Sequence, residues 1–233
     1  MNIFKHAAYQ IFTLLGREIC RREYINQKSL NLNERAVEYS FALRCIYRTS
    51  PRTVLDVGTG FTPWPSLLST CGCVVTAIDE MKSYWHSSIF NRHFYIIKDD
   101  ITKPKISGTF DLITCISTLG HIPNRQDAIR GMFNLLKLGG FLVLTFPYNK
   151  LRYVKNVYEL PGAGYGQNAP YICQVFSRQE INSWLAENSG TILEQEYWRM
   201  FNGEFWTFGE RCQPQKVTVT DRHHHTNILI QKA

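Results

Sequence analysis

The sequence predicts an α/β protein built on a mostly parallel sheet, and three observations carry that expectation. Short apolar runs of strand length recur after Pro51, at residues 53–57, 74–78, 94–97, 110–116 and 141–146. They are apolar throughout rather than alternating, which suits strands covered by helices on both faces. Helical stripes separate several of them, and strand, helix, strand in repetition implies right-handed crossovers within one sheet. At 233 residues, 44% of them hydrophobic, the chain is long enough for one large core.

Before the first run, the spacing predicts two helices. Phe4, Ala8, Phe12, Leu15 and Ile19 recur at steps of three or four over residues 2–20, an amphipathic stripe with a basic end at Arg17, Arg21 and Arg22. Such a helix packs on its own domain or touches anionic lipid. A second helix starts near Asn33, a good N-cap, and runs through Val37, Phe41 and Cys45 until Pro51 stops it. Between the later strands, residues 125–137 place Ile129, Met132, Phe133 and Leu136 on one stripe, with Asn124 to cap the start and Gly139 to end it. Residues 147–176 are too long for an ordinary connection and carry five tyrosines, at 148, 153, 158, 165 and 171. Ser177 and Glu180 then form a capping box that opens a helix through Trp184, with Gly190 just past its end. Two more strands follow at 192–198 and 227–231, joined by an aromatic connection over 200–225.

Composition narrows the function only broadly. A formal charge of +7, from 26 Lys+Arg against 19 Asp+Glu, permits nucleic acid, anionic lipid or an acidic saccharide. The basic residues form no long block, so a solvated basic surface explains them and no nucleic-acid partner is expected. Seven cysteines without a Cys-x-x-Cys pair fit reduced thiols, and the expected compartment is the cytoplasm. No apolar span approaches the length of a transmembrane helix, and no signal peptide is evident. His223, His224 and His225 are adjacent, and neighbours in extended chain point to opposite faces, so no metal site is expected.

The first run, Thr53-Val54-Leu55-Asp56-Val57, turns through Gly58-Thr59-Gly60, and glycine there lets backbone approach a ligand closely. Dinucleotide-binding, P-loop and methyl-transfer proteins all use such a turn. The second run ends in Ile78-Asp79, where a carboxylate can accept from both hydroxyls of a ribose. The third ends in Lys98-Asp99-Asp100-Ile101, where Asp100 can accept from an exocyclic adenine amine and Ile101 can pack on the ring. Together with Asp56 these acids repel a phosphate chain and favour a cationic ligand.

With these pieces in order, and with Phe110-Asp111-Leu112-Ile113 and Leu138-Gly139-Gly140-Phe141 following in register, the chain resembles the class I S-adenosylmethionine-dependent methyltransferase family of small-molecule type. The resemblance covers residues 53–146. It implies a Rossmann-like sheet of seven strands with the last antiparallel, helices on both faces and an N-terminal helical extension. It also implies one methyltransferase domain over 1–233, with N-terminal helices in 1–50, a cofactor-binding half in 51–146 and a lid and acceptor-binding half in 147–233. Carried over by residue, Gly58 and Gly60 lie under the methionine part of S-adenosyl-L-methionine and Asp79 holds the ribose. Asp100 and Ile101 hold the adenine, and Ser117 lies near the transferred methyl. The pattern departs at Thr62, followed by Pro63-Trp64-Pro65, where a third glycine is expected; Trp64 either walls the cofactor pocket or sits in the core.

Methyl transfer is an in-line displacement, and a hydroxyl acceptor must lose its proton. His121, after the fourth strand, stands at the carboxyl edge where open α/β sheets place ligands. It is the expected general base, unless it only orients its loop. The Asn/Asp-Pro-Pro-aromatic signature of adenine and amide N-methylation is absent, since that place reads Ser117-Thr118-Leu119-Gly120. Tyr148, Tyr153, Tyr158, Tyr165, Trp206 and Phe208, with Lys150, Arg152, Lys155 and Arg211, gather in the later loops, where they suit a sugar carrying an acid or pack the lid. The expected activity is O-methylation of a small molecule such as a saccharide or glycolipid intermediate. An RNA methyltransferase and a cofactor-binding subunit without catalysis are the alternatives, and peripheral membrane contact and oligomeric state stay open.

Overall fold

The apolar runs become strands of one sheet in a computed structural model, which describes residues 3–27, 32–84, 91 and 93–233. The chain divides into two units, Met1–Leu32 and Asn33–Ala233. The first holds α1 (Ile3–Ile25), with Phe12, Leu15 and Ile19 of the expected stripe exposed. This helix runs past residue 20 because Glu18 pairs with Arg21 and Arg22 one turn on, which supports its last turns. The expected start at residue 2 and the side chain of Phe4 lie outside the described residues. No described helix is long and apolar enough to cross a membrane.

The second unit opens with α2 (Arg35–Thr49), whose cap position is Glu34 rather than Asn33. The Asn33 side chain still serves the helix start, because its Oδ1 accepts from the Arg35 N–H at 3.1 Å. Then come β1 (Thr53–Val57), α3 (Trp64–Thr70), β2 (Val74–Asp79), β3 (Ile97–Lys98), β4 (Phe110–Ile116), α4 (Arg125–Leu135) and β5 (Leu136–Pro147). They are followed by α5 (Arg178–Asn188), β6 (Gly190–Phe201), β7 (Arg211–Val217) and β8 (His225–Lys232). The strand order is β3-β2-β1-β4-β5-β8-β6-β7, parallel from β3 to β5, with β8 antiparallel to both its neighbours.

The sheet therefore has eight strands, where seven were expected. The extra one, β7, lies within the connection over 200–225 and pairs only with β6. Its sequence Arg-Cys-Gln-Pro-Gln-Lys-Val has no apolar run because an edge strand buries neither face, and the edge tolerates Pro214. At the opposite edge β3 (Ile97–Lys98) keeps only Ile97 of the expected 94–97 run, and Tyr95 and Ile97 are exposed.

Alternate residues of the central strands go to opposite faces, so each strand feeds two cores. Val54, Leu112, Ile116 and Val143 pack with Phe41, Cys45, Trp64 and Leu68 from α2 and α3. Leu55, Ile113, Leu142 and Leu144 pack with Ile129, Met132 and Phe133 of α4 and Trp184 of α5. Helix α4 ends at Leu135, earlier than expected, and Gly139 instead takes a φ of 72° inside the start of β5. The expected capping box opens α5, and Ser189 in the left-handed region, not Gly190, closes it. Because Ser177 Oγ accepts from the Gln179 N–H, Ser177→Ala should lower the unfolding free energy by about 1 kcal/mol in a denaturant titration. An unchanged midpoint would show that the box does not hold the helix.

Candidate functional site

Parallel strands ending at one edge leave their carboxyl ends open, and the turns after β1, β2, β3 and β4 converge there on a cavity of about 200 Å³. Gly58 turns with a φ of 75°, and a Cβ on it would stand 2.0 Å from Thr118 Cγ2, so no side chain fits. Its N–H donates to the Ile78 carbonyl at 2.9 Å, and its own carbonyl accepts from Thr118 Oγ1 at 3.0 Å. Asp79 Oδ2 accepts from the Gly60 N–H and Oδ1 from the Met81 N–H, at 3.0 and 2.8 Å. A carboxylate with two lone pairs on each oxygen keeps acceptor capacity after both bonds.

Asp100 stands in a loop braced from behind by Asp99, whose carboxylate accepts from the backbone N–H groups of Lys105 and Ile106. Asp56 is buried under the glycine turn and accepts from Thr59 Oγ1 at 2.6 Å and Thr114 Oγ1 at 2.7 Å. Burial pushes its carboxyl up to about 6 despite those bonds. Thr114 Oγ1 also accepts from Trp64 Nε1 at 3.3 Å, so the indole that replaces the third glycine's place is both core and cavity wall. Tyr39 of α2 stacks on it with ring centroids 4.8 Å apart.

A second cavity, of about 310 Å³, shares Arg35, Ser117 and His121 with the first. Tyr158, Tyr165 and Trp206 wall it, with Arg211 paired to Glu34 at 2.8 Å. His121 sits in a 3-10 turn after β4, and its Nδ1 lies 2.7 Å from the Ile172 carbonyl. A carbonyl only accepts, so Nδ1 carries the hydrogen and Nε2 the basic lone pair. Burial holds the imidazole below its ordinary value, against the pull of that hydrogen bond. Ser117 takes a φ of 49° and donates its hydroxyl to Glu38 Oε1 at 2.5 Å.

All eight residues singled out in the sequence, Asp56, Gly58, Gly60, Asp79, Asp100, Ile101, Ser117 and His121, line the first cavity. Of the aromatic and basic lid residues, Tyr158, Tyr165, Trp206 and Arg211 line the second. Of the others, Tyr148 stacks on His223, Tyr153 lies under Arg125, Arg152 over Phe205 and Phe208 against Phe205, while Lys150 and Lys155 are exposed. Sequence reading missed Arg35, Glu38 and Tyr39. The available signal was Glu38 itself, a carboxylate in the apolar stripe that also carries Phe41 and Cys45. The adjacent histidines are buried in structural bonds; His224 Nδ1 accepts from the Met200 and Phe201 N–H groups.

A family model described as "Methyltransferase domain" matches residues 29–195. The ubiquinone biosynthesis O-methyltransferase of Coxiella burnetii is 30% identical over 152 residues, 60% of this chain and 63% of that protein. The protein of the same name from Glaesserella parasuis is 30% identical over 105 residues, 40% of this chain and 44% of that protein. The chain thus spans less than two thirds of the length of these curated relatives. The 1,6-didemethyltoxoflavin-N1-methyltransferase of Burkholderia thailandensis superposes with a TM-score of 0.56 at 15% identity, covering 100% of this chain and 91% of that one. A methyltransferase from Clostridium acetobutylicum gives 0.57 at 14% identity, covering 97% and 99%. At these identities the structures show a shared fold.

Gly58→Ala combines a left-handed φ with the Thr118 collision, and it should lower the unfolding free energy by roughly 1–3 kcal/mol in denaturant titration. A loss below that range would mean that the turn relaxes without strain.

Proposed function

The chain belongs to the methyltransferase-domain family, and from that premise we propose that it transfers the methyl group of S-adenosyl-L-methionine to an oxygen of a small molecule. The observation that carries this reading is the meeting of two cavities at Ser117, His121 and Arg35. The first suits the cofactor: its glycine turn leaves no room for a side chain, and the acids Asp56, Asp79 and Asp100 that line it outnumber its two cations, Arg35 and Lys82. Asp79 would hold the ribose, Asp100 and Ile101 the adenine, and Gly58 and Gly60 the methionine part. When bound, the cofactor supplies an electrophilic methyl on a sulfonium.

His121 is the general base in this reading. With Nδ1–H committed to Ile172 and the ring held neutral by burial, Nε2 takes the proton of the acceptor hydroxyl as its oxygen attacks. The aromatic walls Tyr158, Tyr165 and Trp206 hold the acceptor ring and keep water from the reacting oxygen. Those walls favour an aromatic acceptor hydroxyl, and the curated relatives, ubiquinone biosynthesis O-methyltransferases, support transfer to oxygen. A saccharide or glycolipid intermediate is the second reading, favoured by the Arg211 guanidinium beside ring-sized aromatic faces, which suits an acidic sugar. Turnover of paired panels of phenols and sugars decides between them, and turnover of neither, with the cofactor bound, would support a subunit without catalysis.

Asp79→Ala should abolish measurable cofactor binding in calorimetry while circular dichroism stays unchanged; retained affinity would sink the ribose assignment. His121→Ala should cut turnover by about 10²- to 10⁴-fold at unchanged cofactor affinity. The base acts in its neutral form, so wild-type turnover should rise with pH through an apparent value below 6.5 and then level off. A flat profile, or full turnover in the variant, removes His121 from that role.

A further inference from the structure

Behind the point where the two cavities meet lies a carboxylate that touches neither. Glu38, on α2, is fully buried, yet it pairs with groups on two strands, on the turn after β4 and on its own helix. Oε1 takes the Ser117 hydroxyl at 2.5 Å, the Thr145 hydroxyl at 2.7 Å and His225 Nε2 at 3.3 Å. Oε2 pairs with Arg35 Nη1 at 3.0 Å. Burial by itself would raise this carboxyl, but the His225 hydrogen bond, the Arg35 charge and the Ser117 hydroxyl bring it down to about 2, so it is ionised.

Ser117 has no freedom left. Its N–H donates to the carbonyl and to Oγ1 of Thr145 at 3.1 and 2.9 Å, and its hydroxyl hydrogen goes to Glu38. A hydroxyl so committed presents only lone pairs, and this one lines both cavities. Arg35 lines both as well, and Glu38 is its direct ion-pair partner, with Glu34 and Asp56 acting on it from further off. A buried carboxylate with four partners is costly to build merely for stability, since apolar packing of the same volume does as well.

We propose that Glu38 is a positioning residue that sets the electrostatics of the transfer centre: it turns the Ser117 lone pairs toward the cavities and neutralises Arg35, so that the site prefers a sulfonium over a neutral thioether. The proposal rests on the methyl-transfer reading. S-adenosylmethionine is cationic at sulfur, and S-adenosylhomocysteine, the product after transfer, is neutral there. Without Glu38, Arg35 loses its direct ion-pair partner and repels the sulfonium more strongly, while the thioether feels little change. The device therefore helps retain substrate and release product.

Calorimetric titration of both ligands into wild type, Glu38→Gln, Ser117→Ala, the double variant and Glu196→Gln tests this. Glu196 is a buried carboxylate paired with Arg44 and Lys216 away from both cavities, and it controls for plain loss of a buried charge. Glu38→Gln should weaken S-adenosylmethionine about tenfold and S-adenosylhomocysteine less than about threefold. Ser117→Ala should shift the ratio the same way, and the double variant no further than Glu38→Gln, because one acts through the other. Glu196→Gln should lower the melting temperature and leave the ratio alone. Equal weakening of both ligands in Glu38→Gln, or additive shifts in the double variant, would overturn the proposal. Should Glu38→Gln fail to fold, Ser117→Ala decides alone, and an unchanged ratio overturns it. Wild type binding neither ligand would instead remove the methyl-transfer reading, and this proposal with it.

Discussion

The left-handed turn at Gly58 is pinned from both sides, by the Ile78 carbonyl of β2 and by Thr118 after β4, and each wall of the first cavity is placed relative to it. Three parallel strands must end level for those bonds to form. Their register provides this: Val57 stands beside Ile78, and Asp56 beside Thr114. The hydroxyls of Thr59 and Thr114 then close on the buried Asp56 and fix the floor under the turn. A parallel sheet covered on both faces supplies rigid strand ends, and the turns leaving them carry the chemistry.

The second half of the chain completes the site from the other side. The segment after β5 folds back on itself through the Val154 and Val175 bridge and brings Ile172 to His121. The loop after β6 brings Trp206, and β7 brings Arg211. Part of this segment is core, with Val154, Val157, Tyr158, Cys173 and Val175 packed on Met200, Phe201 and Trp206. Helix α2 closes the junction with Arg35, which Glu38 holds from behind, and so belongs to the site.

Much of this was legible because burial on two faces writes continuous apolar runs, and β1, β4 and the glycine turn stand where residues 53–60 and 110–116 put them. The acids at Asp79 and Asp100 were legible because a carboxylate at the end of an apolar run has few reasons to be there. Strand β7 was not, since an edge strand exposed to water carries no apolar pattern. Ser189 was passed over for Gly190 because glycine is the commoner left-handed cap, yet here the serine takes that conformation and the glycine pairs with Lys232. Glu38 stood out only as a carboxylate in an apolar stripe: apart from Arg35 one turn away, its partners come from residues 117, 145 and 225, and no local spacing connects them.

On the methyl-transfer reading, the turns after β1, β2 and β3 form one binding site for the adenosyl cofactor. Amide hydrogen exchange of the wild-type protein with and without S-adenosylhomocysteine tests it most directly. The account predicts added protection at residues 58–60, 79–81 and 99–101 together, saturating at a single ligand concentration. Protection of only one of these turns, or binding that leaves all three unchanged, would contradict it.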